Sequence, residues 1–143
     1  MRAVFLDLNG TLVLPVRVMH PAEFTLIPGA VEAVRLLNQH GFICPVVTVQ
    51  SRISKGIFSF DDFMHWFRTF QSDLRCAGAE VLGPYLCPHQ GRDACHCKKP
   101  QPYLYRRAAA DYGIHTEQSA IIGDTLDDVR AARTLGYIGY RDC

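Results

Sequence analysis

Apolar and polar positions along this chain come in blocks rather than in strict alternation. Val4-Phe5-Leu6 is a short apolar run that breaks into Asp7, Asn9 and Gly10. A run apolar at every position predicts a strand buried on both faces that ends in a polar loop. Pro28-Gly29 opens a segment where Ala30, Val31, Val34, Leu36 and Leu37 fall near one side of a helix, and Gly41 stops it. Ile43 to Val49 reads as a second buried strand, with Thr48 near its end. From Phe60 to Ala77, the residues Phe63, Trp66, Phe67, Phe70 and Leu74 recur at three-to-four spacing. That spacing predicts an amphipathic helix whose first turn carries Asp61 and Asp62, where negative charge suits the helix dipole.

The second half continues the alternation. Glu80 to Leu86 reads as a third strand, broken by Gly83-Pro84, and the segment from Cys87 to Pro102 is irregular. Tyr103 to Tyr112 predicts a helix ended by Gly113, and Ser119 to Ile122 a strand that stops at Gly123-Asp124. Asp127 to Leu135 is a helix capped by Gly136, and Tyr137 to Tyr140 a last strand. Strands alternating with helices imply α/β architecture: a three-layer Rossmann-like sandwich around a mainly parallel sheet. No repeat or linker divides the chain, so residues 1–143 read as one domain. The segments 51–60 and 87–101 are too short for a separate cap domain.

Composition narrows the functions on offer. Hydrophobic residues make up 48% of the chain and charged residues 20%, as in an ordinary globular domain. A formal net charge of +1 gives no electrostatic case for nucleic acid or a membrane surface as partner. No apolar run approaches the roughly 20 residues that span a bilayer. The N-terminus lacks the pattern of a signal peptide. A monomeric cytoplasmic protein is expected. Three of the six cysteines, Cys87, Cys95 and Cys97, fall within eleven residues. That clustering points to metal rather than to disulfides.

In parallel sheets, ligands bind at the carboxyl ends of the strands. Asp7, Asn9, Thr48 and Asp124 all follow or close predicted strands. Asp7 and Asp124 could share Mg²⁺, which takes one or two carboxylates plus water and substrate phosphate. Lys99 could neutralise a phosphate, and the Thr48 hydroxyl with backbone N–H groups around it could hold phosphate oxygens. Phosphoryl transfer needs those parts with a nucleophile in line, and an aspartate can serve by forming an aspartyl-phosphate.

Four ordered motifs carry a resemblance. Phe5-Leu6-Asp7-Leu8-Asn9-Gly10-Thr11 resembles the D-x-D-G-T motif of the haloacid dehalogenase superfamily. Val46-Val47-Thr48 resembles its second motif, Lys99-Pro100 its third, and Ile122-Gly123-Asp124-Thr125-Leu126-Asp127-Asp128 its acidic fourth. Within the superfamily the chain is most similar to the D-glycero-D-manno-heptose 1,7-bisphosphate and histidinol-phosphate phosphatases. Their second motif continues T-N-Q-S-G, here Thr48-Val49-Gln50-Ser51-Arg52, and they carry a zinc loop before the third. The resemblance implies a Mg²⁺-dependent phosphatase of a small phosphorylated metabolite. Asp7 would be the nucleophile. Asp7, Asp124 and the Asn9 backbone carbonyl would hold Mg²⁺, with Asp128 in the outer shell. Thr48, Val49, Lys98 and Lys99 would contact substrate.

The loop 87–97 supplies Cys87, His89, Cys95 and Cys97, a Cys₃His set suited to closed, structural Zn²⁺. The chain also departs from the family pattern. Position 9 holds asparagine where relatives have the aspartate that acts as general acid and base. An amide cannot exchange a proton at neutral pH, so binding should survive while turnover suffers. Position 9 then marks either a slow or non-hydrolytic phosphate-binding or regulatory member, or a substitution that traps bound substrate. Val49, Arg52, Lys98 and Thr125 are further departures, all where substrate would be gripped.

Overall fold

The computed structural model describes residues 1–91 and 93–141; Arg92, within the Cys87–Cys97 loop, and Asp142 and Cys143 lie outside them. Strands β1 (Arg2–Leu6), β2 (Val13–Leu14), β3 (Thr25–Leu26), β4 (Phe42–Ile43), β5 (Pro45–Val49), β6 (Leu82–Cys87), β7 (Ala120–Gly123) and β8 (Ile138–Arg141) alternate with five helices. These are α1 (Ala30–Gln39), α2 (Ser51–Ser54), α3 (Phe60–Cys76), α4 (Tyr103–Tyr112) and α5 (Leu126–Leu135). The main sheet runs β6-β5-β1-β7-β8, and all its pairs are parallel. The short β4 also pairs with β1, in parallel register.

Side-chain alternation along β1 divides the core. Val4 and Leu6 pack with Val34 of α1 and with Phe63, Phe67, Phe70 and Leu74 of α3. Ala3 and Phe5 point the other way, onto Leu104, Tyr105 and Ala108 of α4 and Ala131 and Ala132 of α5. A parallel strand buried on both faces must be apolar at successive positions, and β1 is. The expected three layers are therefore present. Among the described residues no helix is long and apolar enough to cross a membrane.

The local chemistry of the helix ends explains their boundaries. Ser59 caps α3 by accepting from Asp62 N–H while Asp62 returns a bond to Ser59 N–H, a reciprocal capping box. Gly113 and Gly136 close α4 and α5 in the left-handed region. Leu36, expected on the buried side of α1, is instead exposed, because the ten-residue helix buries a narrow stripe centred on Ala30 and Val34. The expected break at Gly83-Pro84 does not interrupt β6. The strand runs through it, and a register shift between Pro45 and Val47 absorbs the irregularity.

One element carries no periodic signal. Residues 11–29 leave the sheet after Asp7 and form an antiparallel pair, Val13 with Leu26 and Leu14 with Thr25. Phe24 pins this hairpin to α3, its ring centroid 5.0 Å from that of Trp66. Phe67 is fully buried in the same aromatic stack, so Phe67→Ala should lower unfolding free energy by about 3–5 kcal/mol. Urea denaturation measures this; a loss below ~1 kcal/mol, the range of ordinary substitutions, would mean α3 is not docked as described.

Candidate active site

Parallel register delivers the acidic residues to one edge. Leu6 lies opposite Ile122, and the Asp7 N–H donates to Ile122 O at 3.0 Å. Asp7 is thus the first residue beyond β1, and Asp124 the first beyond β7. Two glycines make room for the carboxylates. Gly10, at φ +84°, leaves open the space that the Asp124 carboxylate fills, and Gly123 does the same for Asp128. Any side chain at either position would overlap the acid.

A buried cation joins two of the three acids. Lys99 Nζ lies 3.1 Å from Asp7 Oδ1 and 2.8 Å from Asp128 Oδ1. Asp128 also accepts from Thr125 Oγ1 at 3.0 Å, and the Tyr105 hydroxyl lies 3.5 Å from its Oδ1. Burial works against the charge on Lys99, but Asp7, Tyr105 and Asp128 outweigh it and hold its pKa above the ordinary lysine value. Burial pushes the Asp7 carboxyl up to about 7; Lys99 pulls it down, while Asp128 and a close contact with Asp124 push it further up. Two carboxylates in contact need a proton or a cation between them. Asp7, Asp124 and Asp128 each offer an oxygen, all within 4.8 Å of one another. This donor set fits a hard dication such as Mg²⁺.

Beside the acids a hydrogen-bonded chain crosses the strand ends. Gln50 Nε2 donates to Thr48 Oγ1 at 3.0 Å and to Asn9 Oδ1 at 2.9 Å. Asn9 Nδ2 donates to Val16 O at 2.8 Å, which ties the hairpin to the site. The cleft above is about 490 Å³ in volume. Asp7, Asn9, Val49, Lys98, Lys99, Asp124 and Asp128 line it, together with Arg17, Gln50, Arg52 and Lys55.

Most of the residues singled out in the sequence therefore meet. Thr48 does not line the cleft: it is buried beneath it, its hydroxyl accepting from Gln50. The Gln50 N–H is not free to hold phosphate, because it donates to Cys87 O at 2.8 Å. Asp128 is buried and bonded to Lys99. Arg17, Gln50, Lys55 and Tyr105 carried no role in the sequence reading. Only Gln50 had a signal, through its place in the extended second motif.

The Cys-His loop converges as well. Cys87 Sγ lies 2.9 Å from Cys97 Sγ, 3.9 Å from Cys95 Sγ and 3.4 Å from His89 Nδ1. All four ligand atoms fall within 4.8 Å of one another, so the residues fit a tetrahedral thiolate-imidazole ion. Burial pushes the Cys87 thiol up to about 12, and a neighbouring Cys97 adds to it. A bound cation would reverse that shift. The loop is tied to the cleft: Ser54 N–H donates to Pro88 O at 3.1 Å, and Ser54 Oγ donates to Asp93 Oδ2 at 2.6 Å.

Residues 96–140 match the family model described as HAD-hydrolase-like. A D-glycero-beta-D-manno-heptose-1,7-bisphosphate 7-phosphatase from Photorhabdus laumondii is 36% identical over 145 residues, spanning 96% of this chain and 77% of that protein. A probable enzyme of that name from Thermoplasma volcanium is 30% identical over 125 residues, spanning 87% and 86%. The D,D-heptose 1,7-bisphosphate phosphatase from B. bronchiseptica, solved with magnesium and phosphate, superposes with a TM-score of 0.90 at 28% identity, over 99% of this chain and 80% of that one. These matches set the parallel sheet and its acidic edge within the haloacid dehalogenase class of hydrolases. Inside that class, the chain belongs to the family of the heptose-1,7-bisphosphate 7-phosphatases.

Gly10→Ala tests the packing of the site. A Cβ there meets the Asp124 carboxylate and sits on a backbone that L side chains rarely adopt. The variant should lose about 1–3 kcal/mol of stability, and added Mg²⁺ should raise the melting temperature of the unsubstituted chain but not of the variant. An unchanged Mg²⁺ shift would separate Asp124 from the ion.

Proposed function

We propose that the chain is a Mg²⁺-dependent phosphohydrolase of a phosphorylated sugar that works through an aspartyl-phosphate on Asp7. The observation that carries this reading is the pairing of Asp7 with Lys99 at the carboxyl edge of the sheet, beside Asp124 and Asp128. The names of the relatives support a sugar bisphosphate as the substrate class. On this reading Asp7, Asp124 and the Asn9 carbonyl hold Mg²⁺, and Asp128 supports them from behind. The ion supplies charge neutralisation of the phosphoryl group. Lys99 aligns the Asp7 carboxylate and meets the incoming phosphate. Lys98 and Val49 line the approach, and Thr48 orders the floor through Gln50.

Asn9 sets the rate. Its amide oxygen accepts from Gln50 and its nitrogen donates to Val16 O, so neither atom can pass a proton to a leaving alkoxide. Loss of a general acid–base costs about 10²- to 10⁴-fold. Mg²⁺-dependent phosphate release from a panel of sugar phosphates should therefore rise by about that factor in Asn9→Asp. Equal rates for both chains would show that another group moves the proton. The second reading, a phosphate-binding or regulatory member, rests on the same committed amide; phosphate affinity with no turnover in either chain would favour it.

In the same proposal Cys87, His89, Cys95 and Cys97 hold structural Zn²⁺. The loop they close buries few apolar groups, and Lys98 and Lys99 follow it directly. Structural zinc contributes roughly 10 kcal/mol or more to such segments. A strong chelator should release zinc, lower the melting temperature and weaken phosphate binding together. Phosphate binding that survives complete zinc removal would uncouple the loop from Lys99.

A further inference from the structure

The acids and bases around the cleft are few. Among the described residues lining it there is no histidine and no glutamate. Of its four aspartates, Asp7 and Asp128 share Lys99, and Asp124 contacts Asp7. Asp127 is engaged by Arg130 at 3.4 Å. Position 9 holds an amide with its oxygen and its nitrogen both bonded. The cleft thus has a nucleophile, cations and engaged aspartates, and at position 9 an amide where a carboxylate could give or take a proton.

We infer that Asp7 accepts phosphoryl groups productively from donors whose leaving group departs without a proton, acyl phosphates above all, and then holds the phosphoryl group. This rests on the reading of Asp7 as the nucleophile. In the transfer, a carboxylate oxygen of Asp7 forms a bond to phosphorus as the bond from phosphorus to the acyl oxygen breaks. The electron pair of the broken bond leaves on a carboxylate. Such a group has a pKa of about 4.3 or nearby, so it departs as the anion at neutral pH. The products are phosphoryl-Asp7 and a free carboxylate, and no proton moves. A sugar phosphomonoester would instead release an alkoxide, which must gain a proton that the Asn9 amide cannot provide.

The reverse half of a hydrolytic cycle has the same gap. Water must lose a proton as it attacks phosphoryl-Asp7, and the Asn9 amide is not a base. General base assistance is worth about 10²- to 10⁴-fold, so the adduct should outlive that of an aspartate at position 9 by a comparable factor. The cations Arg17, Arg52, Lys55 and Lys98 around the mouth suit the phosphoryl charge.

The test uses the whole chain with Mg²⁺ and acetyl phosphate. Intact-mass spectrometry should show one added phosphoryl group, and peptide mapping should place it on Asp7. Hydroxylamine should remove it, and Asp7→Asn should carry none. In Asn9→Asp the adduct should be short-lived, and that variant should turn over sugar phosphomonoesters. No adduct on this chain, or an adduct of equal lifetime in both chains, overturns the inference; turnover by Asn9→Asp then leaves the phosphatase reading standing. Multiple turnovers of a sugar phosphate by this chain at the rate of Asn9→Asp also overturn it. If neither chain is labelled and neither turns over, both readings fall.

Discussion

Lys99 is the interaction on which the rest of the site depends. A lysine this buried survives only with partners, and two carboxylates supply them at 3.1 and 2.8 Å. The triad joins three distant parts of the chain: the end of β1, the segment just after the Cys-His loop, and the first turn of α5. Each partner needs its own local support. Gly123 opens space for Asp128, and the register of β1 with β7 sets Asp7 beside Asp124. The loop before Lys99 is anchored through Gln50 and Ser54 to the segment after β5.

The strength of this cluster also constrains what the chain can do. Lys99 satisfies one oxygen of Asp7 and one of Asp128, and Thr125 the other oxygen of Asp128, so the remaining capacity of Asp7 faces Asp124. That surplus favours a cation, which in turn can carry a phosphate anion. The amide at position 9 fits its surroundings without strain: Gln50 needs an acceptor there, and the Val16 carbonyl needs a donor. An ionised carboxylate could meet the first need but not the second.

Much of this was legible in the residues, for identifiable reasons. Val4-Phe5-Leu6 announced a doubly buried strand because both faces of β1 are covered, and the aromatic spacing of α3 matched its packing on the sheet. Asp7 and Asp124 stood out because each follows a strand whose end the pattern marks, and Lys99 through its place in the third motif. The hairpin of β2 and β3 was not legible, since two-residue strands have no period to detect. The break assigned at Gly83-Pro84 reflected turn chemistry, which the pairing of β6 with β5 overrides. Asp128 could be read as solvated or buried from its place in a helix; only the position of Lys99 decides that it is buried. Arg17 owes its place in the cleft to the hairpin, so no local signal could have revealed it.

The cations around the cleft have a consequence for encounter. The whole chain carries a formal charge of only +1, yet Arg17, Arg52, Lys55 and Lys98 all line one concave mouth. Cations grouped in a concave mouth focus field lines and draw in anions faster than free diffusion delivers neutral solutes. The molecule is therefore nearly neutral to bulk solvent, while at the mouth four cations, set beside the aspartates of the cleft, can meet a small anion at short range. Because the Debye length is about 8 Å at physiological ionic strength, this attraction acts only across the last few ångströms of approach. Salt should slow arrival at the mouth more than it weakens the buried ion pairs beneath.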